Sequence, residues 1–517
     1  MHALAKGSQA KNRFKNLSDV PHYQFSIFFL SYLITPYLFS FKYQKMHKLM
    51  VLIFLCCLLQ LSAIGLQNVP RIAIIGGGIG GTSCAYFLKE MFGEKSKITL
   101  YEKDTIGGRL KLQNVAGEYY EAGGSIIHHS NKYMEDFLKV LDLPKNPPDN
   151  NKFGIFDGRK FVFQESDWRF LTMLDCFWRY GYSFFDLWLH TKIAVNDFKR
   201  IYKLQEEEFS FSTVSGLLDF MNPGFRNLTQ ETLLSSLQKK GLSKRLMDEL
   251  VQSITRVNYG QSYNISAFAG YIALAGADAN LWSVKGGNKL IPSGLLAKSK
   301  ANLVSGDVIE VILTPDGFDV KYVDLSNGSL ITVEYDIVIL AAPLIKGQRN
   351  VKFVNFHKKF DQYEKIYQPI IATFVKGILN PSAFSVPSVP DEILTFKSNL
   401  IFNSIGKLSP TSEDGKSVYK IFSSEPLTEK NLKVLFEEIE TYKVVEWLAY
   451  PHYDPPENLP PFYFYPNLYY INAIEVAASA MEMSAVASKN VALLAFHFWY
   501  SNMEKIDQRE RLSKTEL

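Results

Sequence analysis

The sequence predicts an α/β fold in which a discontinuous nucleotide-binding domain with a parallel sheet is joined to an α+β domain that holds a substrate. Three observations lead to this prediction. A β-branched run at 71–75 passes directly into a glycine-rich turn and an apolar helix stripe. Further strand-like runs begin near 98, 307, 336 and 468, so one sheet would draw on distant parts of the chain. The 517 residues also exceed one ordinary core.

The turn after the first strand has the spacing G-x-G-x-x-G, with Gly76, Gly78 and Gly81 in the glycine positions. The next residues carry an apolar stripe at helical spacing, formed by Cys84, Phe87, Leu88 and Met91. A second strand then ends in Glu102. This order is typical of a Rossmann-type dinucleotide site, where the pyrophosphate lies at a helix N-terminus and the acid binds the ribose hydroxyls.

Two more glycine segments follow this unit. Gly107-Gly108-Arg109 comes five residues after Glu102, and Glu121-Ala122-Gly123-Gly124-Ser125 follows a dozen residues later. Glycines let backbone amides approach a ligand, and Arg109 can offset phosphate charge. Taken alone, the first segment could equally be a surface turn. Beside a complete dinucleotide unit, the two segments resemble the Gly-Gly-Arg turn and the acidic-x-Gly-Gly segment of the FAD-dependent amine-oxidase superfamily. That resemblance implies FAD, with Gly108, Arg109, Gly124 and Ser125 as cofactor-binding residues.

The amino-terminal 65 residues have the pattern of a secretory leader. Basic residues precede the uncharged run 49–61, and Ala63-Ile64-Gly65 supplies the small residues of a cleavage site. We interpret 46–65 as a signal peptide and 1–45 as an extension upstream of the true start at Met46. The alternative is a genuine amino-terminal anchor. The run is shorter than the roughly 20 residues that cross a bilayer.

Charge and cysteine usage narrow the function further. The formal charge is +4, but residues 1–48 contribute +6, so the remainder carries −2 and nucleic-acid binding is not expected. Only Cys84 and Cys176 remain after leader cleavage, which excludes a disulfide framework. Three N-glycosylation acceptors, at Asn227, Asn264 and Asn327, fit entry into the secretory pathway.

The glycine segments resemble those of the FAD-dependent amine-oxidase superfamily. Within that pattern Val308 would meet the adenine, and Glu475 would lie in the segment that closes over the flavin. Residues 71–511 resemble the prenylcysteine oxidase and prenylcysteine oxidase-like family more closely. The segments that carry this likeness include IIGGGIGGTSCAY (74–86), YEAGGSIIH (120–128), RVNYGQS (256–262), VKGGNKL (284–290), WLAYPHYDPPE (447–457) and AASAMEMSAVASKNVALLAFH (477–497).

The resemblance implies a lysosome-directed, FAD-dependent thioether oxidase. Its substrates would be farnesylcysteine, geranylgeranylcysteine, O2 and water, and its products a prenyl aldehyde, cysteine and hydrogen peroxide. Noncovalent FAD is expected, because neither remaining cysteine lies in the C-terminal closing segment. A secreted location is the alternative to the lysosome, and peripheral association with a membrane or lipoprotein is left open.

The expected domain boundaries follow the same pattern. The FAD-binding domain comprises 66–125, 285–345 and 446–500, the substrate domain 126–284 and 346–445, and the C-terminal tail 501–517. In the aromatic-rich insert, Tyr180, Phe184, Phe185 and Trp188 have the spacing of one apolar helix face. We assign Tyr180, Phe184 and Trp188 to the prenyl site, although such faces are more often plain core.

No nucleophile triad or metal-ligand cluster is evident in the sequence. His128, beside the second glycine segment, is the best candidate to handle a proton from water, although a histidine without a catalytic role is the commoner case. Two other functions compete. A non-catalytic prenyl carrier would resemble the Rab GDP-dissociation inhibitors, which share a related fold. An FAD amine oxidase would need an aromatic cage and a flavin-facing lysine, neither of which the sequence identifies.

Overall fold

The computed structural model describes residues 69–146, 151–277, 281–408 and 417–508. The predicted upstream extension (1–45), the signal peptide (46–65) and the last nine residues of the C-terminal tail lie outside these ranges.

Most strands belong to two sheets. The strands are β1 (Arg71–Ile75), β2 (Lys97–Glu102), β3 (Leu112–Val115), β4 (Glu118–Glu121), β5 (Ile127–His128), β6 (Phe153–Phe156), β7 (Phe161–Gln164), β8 (Leu281–Trp282), β9 (Asn302–Thr314), β10 (Gly317–Asp324), β11 (Leu330–Tyr335), β12 (Ile337–Leu340), β13 (Lys352–Val354), β14 (Tyr367–Leu379), β15 (Glu392–Thr395), β16 (Ser404–Leu408), β17 (Ser417–Ser423), β18 (Phe436–Pro451), β19 (Tyr463–Tyr465) and β20 (Leu468–Tyr470).

The helices cluster in the insert between β7 and β8. They are α1 (Ile79–Phe92), α2 (Lys132–Leu141), α3 (Arg169–Tyr180), α4 (Ser183–Phe198), α5 (Arg200–Glu206), α6 (Val214–Met221), α7 (Pro223–Leu228), α8 (Leu233–Lys239), α9 (Lys244–Leu246), α10 (Gln252–Tyr259), α11 (Ala267–Ala275), α12 (Leu290–Ser299), α13 (Glu429–Leu435) and α14 (Met481–Trp499). A π-helical turn, Met247–Val251, joins α9 to α10, and Ile471–Val476 forms a 3-10 helix before α14.

The first sheet has the parallel core expected for a dinucleotide-binding domain. Among the described residues its strand order is β11-β10-β9-β2-β1-β12-β20-β19, and β13 pairs with β9. Strands β9, β2, β1, β12 and β20 run parallel. In such sheets ligands bind beyond the carboxyl ends of the strands, where the strand order reverses. Here that point lies at the end of β1, where the glycine turn begins.

The helix predicted after the glycine turn is present as α1. Cys84 and Leu88 on its apolar stripe are completely buried, and Phe87 is nearly so. Helix α1 packs against α14 and α12, which arrive from distant parts of the chain. Helices from three distant segments of the chain therefore share one hydrophobic core. The predicted α/β fold class is therefore confirmed.

The second sheet has the order β18-β14-β17-β16-β15-β6-β7 within the described ranges. Its two longest strands, β14 and the edge strand β18, are antiparallel. The sheet draws mainly on 367–451 together with the short hairpin at 153–164. The β-rich piece expected at 346–445 thus supplies most of these strands, while the domain boundaries given above stay predictions.

The expected single helix face through Tyr180, Phe184, Phe185 and Trp188 is wrong. Helix α3 ends at Tyr180, and Gly181 turns the chain before α4 begins at Ser183. Glycine ends the helix because its φ of +64° is strained for other residues. Tyr180 is buried and Phe184 is partly buried, whereas Phe185 and Trp188 are exposed.

Candidate functional site

One cavity of about 1160 Å³ runs along the carboxyl edge of the first sheet. Its walls come from the first glycine turn (76–81), the second glycine turn (107–109) and the 121–125 segment. The ends of β1, β2 and β12, the start of α14 and helices of the insert complete them. Ligand pockets of drug-sized molecules usually measure about 300–1,000 Å³. This cavity is therefore large enough to hold a cofactor together with a substrate.

The first glycine turn forms the wall of this cavity at the N-terminus of α1. Gly76 has φ +114°, and a Cβ there would lie 2.8 Å from the Ala341 carbonyl oxygen. A Cβ on Gly81 would come 1.9 Å from the Gly76 oxygen, so Gly81 permits the close approach of helix and strand. Gly78 lines the cavity, and nothing lies within 4 Å of its Cβ position. The open space beside Gly78 suits a phosphate at the positive helix end.

The second glycine turn is attached to the first. Gly107 donates its backbone N–H to the Gly77 oxygen at 2.9 Å, and a Cβ on Gly108 would lie 3.3 Å from the Gly78 Cα. Both turns line the cavity. Two glycine backbones therefore meet beside one helix N-terminus, which is the arrangement that binds a pyrophosphate.

Glu102 lies at the end of β2 and lines the same cavity. Its Oε2 accepts the Gly77 N–H at 2.6 Å, and its Oε1 accepts the Asp104 N–H at 2.7 Å. The remaining acceptor capacity of the carboxylate is available to ribose hydroxyls. Val308 lines the cavity on the neighbouring strand β9, where the resemblance places the adenine. These residues fit a dinucleotide, and the glycine cradle would hold its phosphates.

Arg109 and Glu475 line the cavity but bind each other. Arg109 Nη1 donates to Glu475 Oε2 at 3.1 Å and to the Ala449 oxygen at 2.7 Å, and Nη2 also pairs with Glu475. Glu475 additionally accepts from Tyr367 Oη and Asn472 Nδ2, both at 2.8 Å. Burial alone would lower the pKa of Arg109, but the Glu475 carboxylate raises it above its ordinary value. We expected Arg109 to offset phosphate charge. In the structure its guanidinium is paired with the Glu475 carboxylate, which already neutralises it.

Gly124 and Ser125 are held by an asparagine that the sequence analysis did not single out. Asn288 Nδ2 donates to the Gly124 oxygen at 2.8 Å and to the Ser125 oxygen at 3.1 Å. The Asn288 backbone N–H donates to Glu121 Oε1 at 2.5 Å. The segment 284–290, one of those that carry the family resemblance, therefore fixes the 121–125 segment.

A buried lysine stands behind this wall. Lys420 Nζ donates to the Glu121 backbone oxygen at 2.9 Å and lies 4.7 Å from the centre of the Phe422 ring. Burial lowers the pKa of Lys420 to about 8 and raises the pKa of the Glu121 carboxyl to about 7. Phe422 lines the cavity and Lys420 does not. No sequence motif indicated this lysine, because it lies on β17 in the other sheet.

Two tyrosines brace the segment that leads into α14, and a third packs against one of them. Tyr453 Oη donates to the Glu475 backbone oxygen at 3.0 Å and accepts the Ser479 N–H at 2.8 Å. Tyr259 Oη donates to the Ser479 oxygen at 2.9 Å. The Tyr259 ring lies edge-on to Tyr450 at 5.0 Å, and both line the cavity. Burial raises the pKa of all three phenols, so they stay protonated donors.

Glu482, at the start of α14, is a second buried carboxyl in the cavity wall. It accepts the N–H groups of Tyr133 and Met134 at 2.8 and 3.1 Å, and the hydroxyl of Tyr202 at 2.9 Å. It thereby caps α2, a helix almost 350 residues earlier in the chain. Burial raises the pKa of this carboxyl to about 7. The segment 477–497 is one of those that carry the family resemblance, but only the structure shows that Glu482 caps α2.

His128 lines the cavity beside the 121–125 segment. Its Nδ1 accepts the Ser130 N–H at 3.1 Å, so the neutral ring carries its proton on Nε2. Its role in proton handling stays a prediction.

The apolar part of the cavity comes from the insert. Its lining includes Ala194, Val195 and Phe198 of α4, Phe225 and Leu228 of α7, and Phe268 and Ile272 of α11. The three residues assigned to the prenyl site, Tyr180, Phe184 and Trp188, are not among the lining residues. Other residues of the insert line the cavity, and along α4 this lining begins at Ala194, beyond Trp188. The assignment of the prenyl site to the insert stays a prediction.

Neither a metal cluster nor a membrane-spanning helix was expected from the sequence. Within the described ranges, no group of three or more His, Cys, Asp or Glu side chains is placed to hold a metal ion. No helix of those ranges is long and apolar enough to cross a bilayer.

Solved structures of known enzymes share this fold. The structure is similar to putrescine oxidase (TM-score 0.56, 13% identity, covering 82% of this chain and 99% of that one) and to cyclohexylamine oxidase from Brevibacterium oxydans (TM-score 0.56, 12% identity, covering 83% and 99%). At these identities the likeness shows the fold. Residues 74–141 also match the NAD(P)-binding Rossmann-like domain.

The chain belongs to the prenylcysteine lyase family, which it matches over residues 163–508. It is 41% identical to prenylcysteine oxidase 1 of Homo sapiens over 474 residues, covering 86% of this chain and 93% of that one. It is 37% identical to the human prenylcysteine oxidase 1-like protein over 482 residues, covering 89% and 97%. The family that the sequence motifs indicated is thus confirmed.

Proposed function

We propose that this protein is an FAD-dependent oxidoreductase that cleaves the thioether of farnesylcysteine and geranylgeranylcysteine. The observation that carries the proposal is the single cavity, in which a dinucleotide cradle and an apolar chamber are continuous. Membership of the prenylcysteine lyase family supports the same substrate class. An isoprenoid requires an apolar chamber, and oxidation at its first carbon requires that chamber to end at a redox cofactor.

The overall reaction balances with two co-reactants. Prenylcysteine, O2 and water give a prenyl aldehyde, free cysteine and hydrogen peroxide. When bound, the flavin would supply the hydride acceptor for the prenyl carbon attached to sulfur and the route by which O2 takes up the electrons. The cation left on that carbon is stabilised by both the sulfur and the allylic double bond, so no strong base is needed there.

The protein's own residues bind, orient and exclude water. The glycine turns and Glu102 would hold the phosphates and ribose, and the Asn288 amide fixes the 121–125 segment. Phe198, Phe225 and Phe268 offer an apolar wall that orients the isoprenoid and keeps bulk water from the reacting carbon. His128, with its neutral-form proton on Nε2, is the proposed group for proton transfer when water adds and the thiol leaves.

We propose that the FAD is bound noncovalently. Cys84 and Cys176 are both buried, and neither belongs to the cavity lining. Burial also raises the pKa of the Cys176 thiol to about 12, so this group is not a reactive thiolate. Acid precipitation should release the yellow chromophore into the supernatant. A chromophore that stays with the pellet would contradict noncovalent binding.

A secretory location, with the lysosome as its destination, is part of this proposal. The three sequon asparagines, Asn227, Asn264 and Asn327, are exposed in the folded protein and accessible to glycans. Expression in a secretory host followed by glycosidase treatment should reduce the apparent mass. Unchanged mobility would contradict glycosylation at these sites.

The experiment for the activity combines a spectrum with a substrate. Purified protein should show flavin absorbance that bleaches on anaerobic addition of farnesylcysteine, and peroxide should form when air is admitted. A protein without flavin that still binds farnesylcysteine would instead be a prenyl carrier. The Tyr259–Tyr450 pair in the cavity wall makes an amine substrate a necessary comparison. Bleaching by putrescine and not by farnesylcysteine would identify an amine oxidase.

A further inference from the structure

A helical hairpin on the insert exposes an unusual amount of apolar surface. Eleven of the 24 exposed large apolar side chains in the described ranges lie between 168 and 193, in and around α3 and α4. They include Trp168, Phe170, Trp178, Tyr182, Trp188 and Ile193. We call these eleven side chains the outer face. Clusters of exposed apolar side chains on soluble proteins commonly mark interaction sites.

The hairpin itself is firmly attached to the body of the protein. Arg179 forms a two-pronged ion pair with Glu249, at 2.6 Å from Nε and 2.8 Å from Nη2. Cys176, Tyr180 and Leu187 are buried on its inner side. Because the inner side is packed and paired, the outer face belongs to a well-formed amphipathic element.

The composition of the outer face points to lipid. All three exposed tryptophans of the described ranges are in it, together with Tyr182 at the hairpin turn. Tryptophan and tyrosine favour the boundary between headgroups and acyl chains, and amphipathic helices lie in that plane with their apolar side chains buried. No described helix spans a bilayer, so the element would lie on the membrane.

The charges on this surface fit zwitterionic headgroups. Its exposed charged side chains include Asp175, Asp186 and Lys192, and Lys192 Nζ lies 4.7 Å from the centre of the Trp188 ring. Both signs are present, so no strong single-sign field repels either half of a phosphocholine. A choline cation suits the exposed indole faces, and its phosphate suits the Lys192 ammonium.

Helix α4 carries residues of both the outer face and the cavity lining. Ile193 is exposed on the outer face, and the adjacent Ala194 and Val195 line the cavity. Resting on the function proposed above, we propose that the outer face docks on a phosphatidylcholine bilayer, so that prenylcysteines dissolved in the leaflet pass along α4 into the cavity. The substrate is itself a lipid, and this route spares its isoprenoid a passage through water.

Vesicle flotation tests the docking without any substrate. The full-length protein should float with dioleoylphosphatidylcholine vesicles, and brominated phosphatidylcholine should quench its tryptophan fluorescence. The double variant Leu174→Asp/Trp178→Asp, on the outer face of α3, should lower the partition coefficient at least tenfold. The matched control Leu325→Asp/Leu330→Asp removes two exposed leucines elsewhere and should stay within twofold. Unchanged circular dichroism and melting would show that both variants are folded.

Three results would overturn the proposal. The first is no flotation of the wild-type protein. The second is equal flotation of wild type and outer-face variant, which would assign binding to the leader or another surface. The third is concentration-dependent self-association abolished by the variant without vesicle binding, which would make a second copy the partner.

Activity separates the two proposals. The outer-face variant should oxidise monomeric farnesylcysteine in solution like wild type, but oxidise vesicle-embedded geranylgeranylcysteine at least fivefold more slowly. Loss of vesicle binding with equal rates on both substrates would overturn delivery from the leaflet. Inactivity of wild type and variant alike, with vesicle binding intact, would contradict the oxidase and leave the docking standing.

Discussion

Arg109 Nη1 lies 3.1 Å from Glu475 Oε2, although 366 residues separate the two in sequence. The pair joins the second glycine turn to the segment before α14, and Ala449 of β18 accepts a further hydrogen bond from the same guanidinium. Three distant pieces of chain thus meet at one point of the cavity wall. The cavity's shape depends on this junction as well as on the glycine motif.

Removing the Glu475 carboxylate should destabilise the protein strongly. Glu475→Ala leaves the Arg109 guanidinium without its charge partner. Breaking a fully buried pair costs about 3–5 kcal/mol, and because the Arg109 side chain is 34% exposed, the loss should lie at the lower end of this range. Urea unfolding followed by circular dichroism measures the loss. Glu231→Gln removes a pair to Lys239 at the surface and should cost at most about 1 kcal/mol. Equal losses in the two variants would show that the Arg109–Glu475 pair has no special structural role.

Glu102→Gln should weaken FAD binding while the fold persists. The neutral amide cannot accept charge-assisted hydrogen bonds from the ribose, and each such bond contributes roughly 1.5–3 kcal/mol. Titration of apoprotein with FAD, followed by flavin fluorescence, should therefore show at least a tenfold rise in Kd. Asp104→Asn, in the same turn, is the control and should bind FAD like wild type. An unchanged Kd for Glu102→Gln would remove this residue from the site.

The buried Glu482 carboxyl should leave a signature in the pH dependence of stability. Burial raises its pKa to about 7 in the folded protein, from an ordinary value of 4.5. Between these two pH values the folded state keeps a proton that the unfolded state releases, so stability falls as pH rises. Glu482→Gln cannot titrate and lacks this loss.

The stability of Glu482→Gln relative to wild type should therefore rise by up to about 3 kcal/mol between pH 4.5 and 7. Urea unfolding at several pH values measures the difference, in which the contributions of other groups cancel. Glu504→Gln, which removes an exposed carboxyl, should run parallel to wild type. Parallel curves for Glu482→Gln as well would mean that folding does not raise the pKa of Glu482.

Phe198→Asp should reduce turnover of long prenyl chains more than it affects folding. Phe198 is only partly buried and lines the apolar chamber at the end of α4. A carboxylate there would disfavour an isoprenoid, since each buried methylene contributes about 0.8 kcal/mol to binding. Steady-state kinetics should show KM for geranylgeranylcysteine raised more than tenfold. Leu325→Asp, on the exposed surface, should leave KM unchanged, and a Phe198→Asp KM equal to wild type would place the isoprenoid elsewhere.

The sequence predicted best the parts of the site that are local in the chain. Gly76, Gly78, Gly81 and Glu102 follow a fixed spacing, because one strand–turn–helix–strand unit binds one nucleotide. Gly76, Gly78 and Glu102 line the cavity, and Gly81 packs against the Gly76 backbone behind it, as that spacing requires. Glu482 also lay in a recognised segment, but its function depends on Tyr133 and Met134 from another helix. Periodicity within one segment carries no information about such pairings.

The hairpin shows the other limit of sequence reasoning. Apolar residues at helical spacing were interpreted as one face directed into the protein, which holds for Tyr180 and not for Trp188. Gly181 divides the run, and the two helices it joins present part of their apolar residues outward. Composition alone does not distinguish an apolar core from an apolar surface.

The oxidation chemistry is tested most directly by anaerobic stopped-flow reduction of the bound flavin with farnesylcysteine and with dodecylcysteine. Both chains can enter an apolar chamber, but only the prenyl thioether has an allylic carbon beside sulfur, which stabilises the transition state for hydride loss. Flavin reduction at saturating substrate should therefore be at least a hundredfold faster with farnesylcysteine. Equal reduction rates for the two substrates would contradict this mechanism, even if both bound with the same affinity.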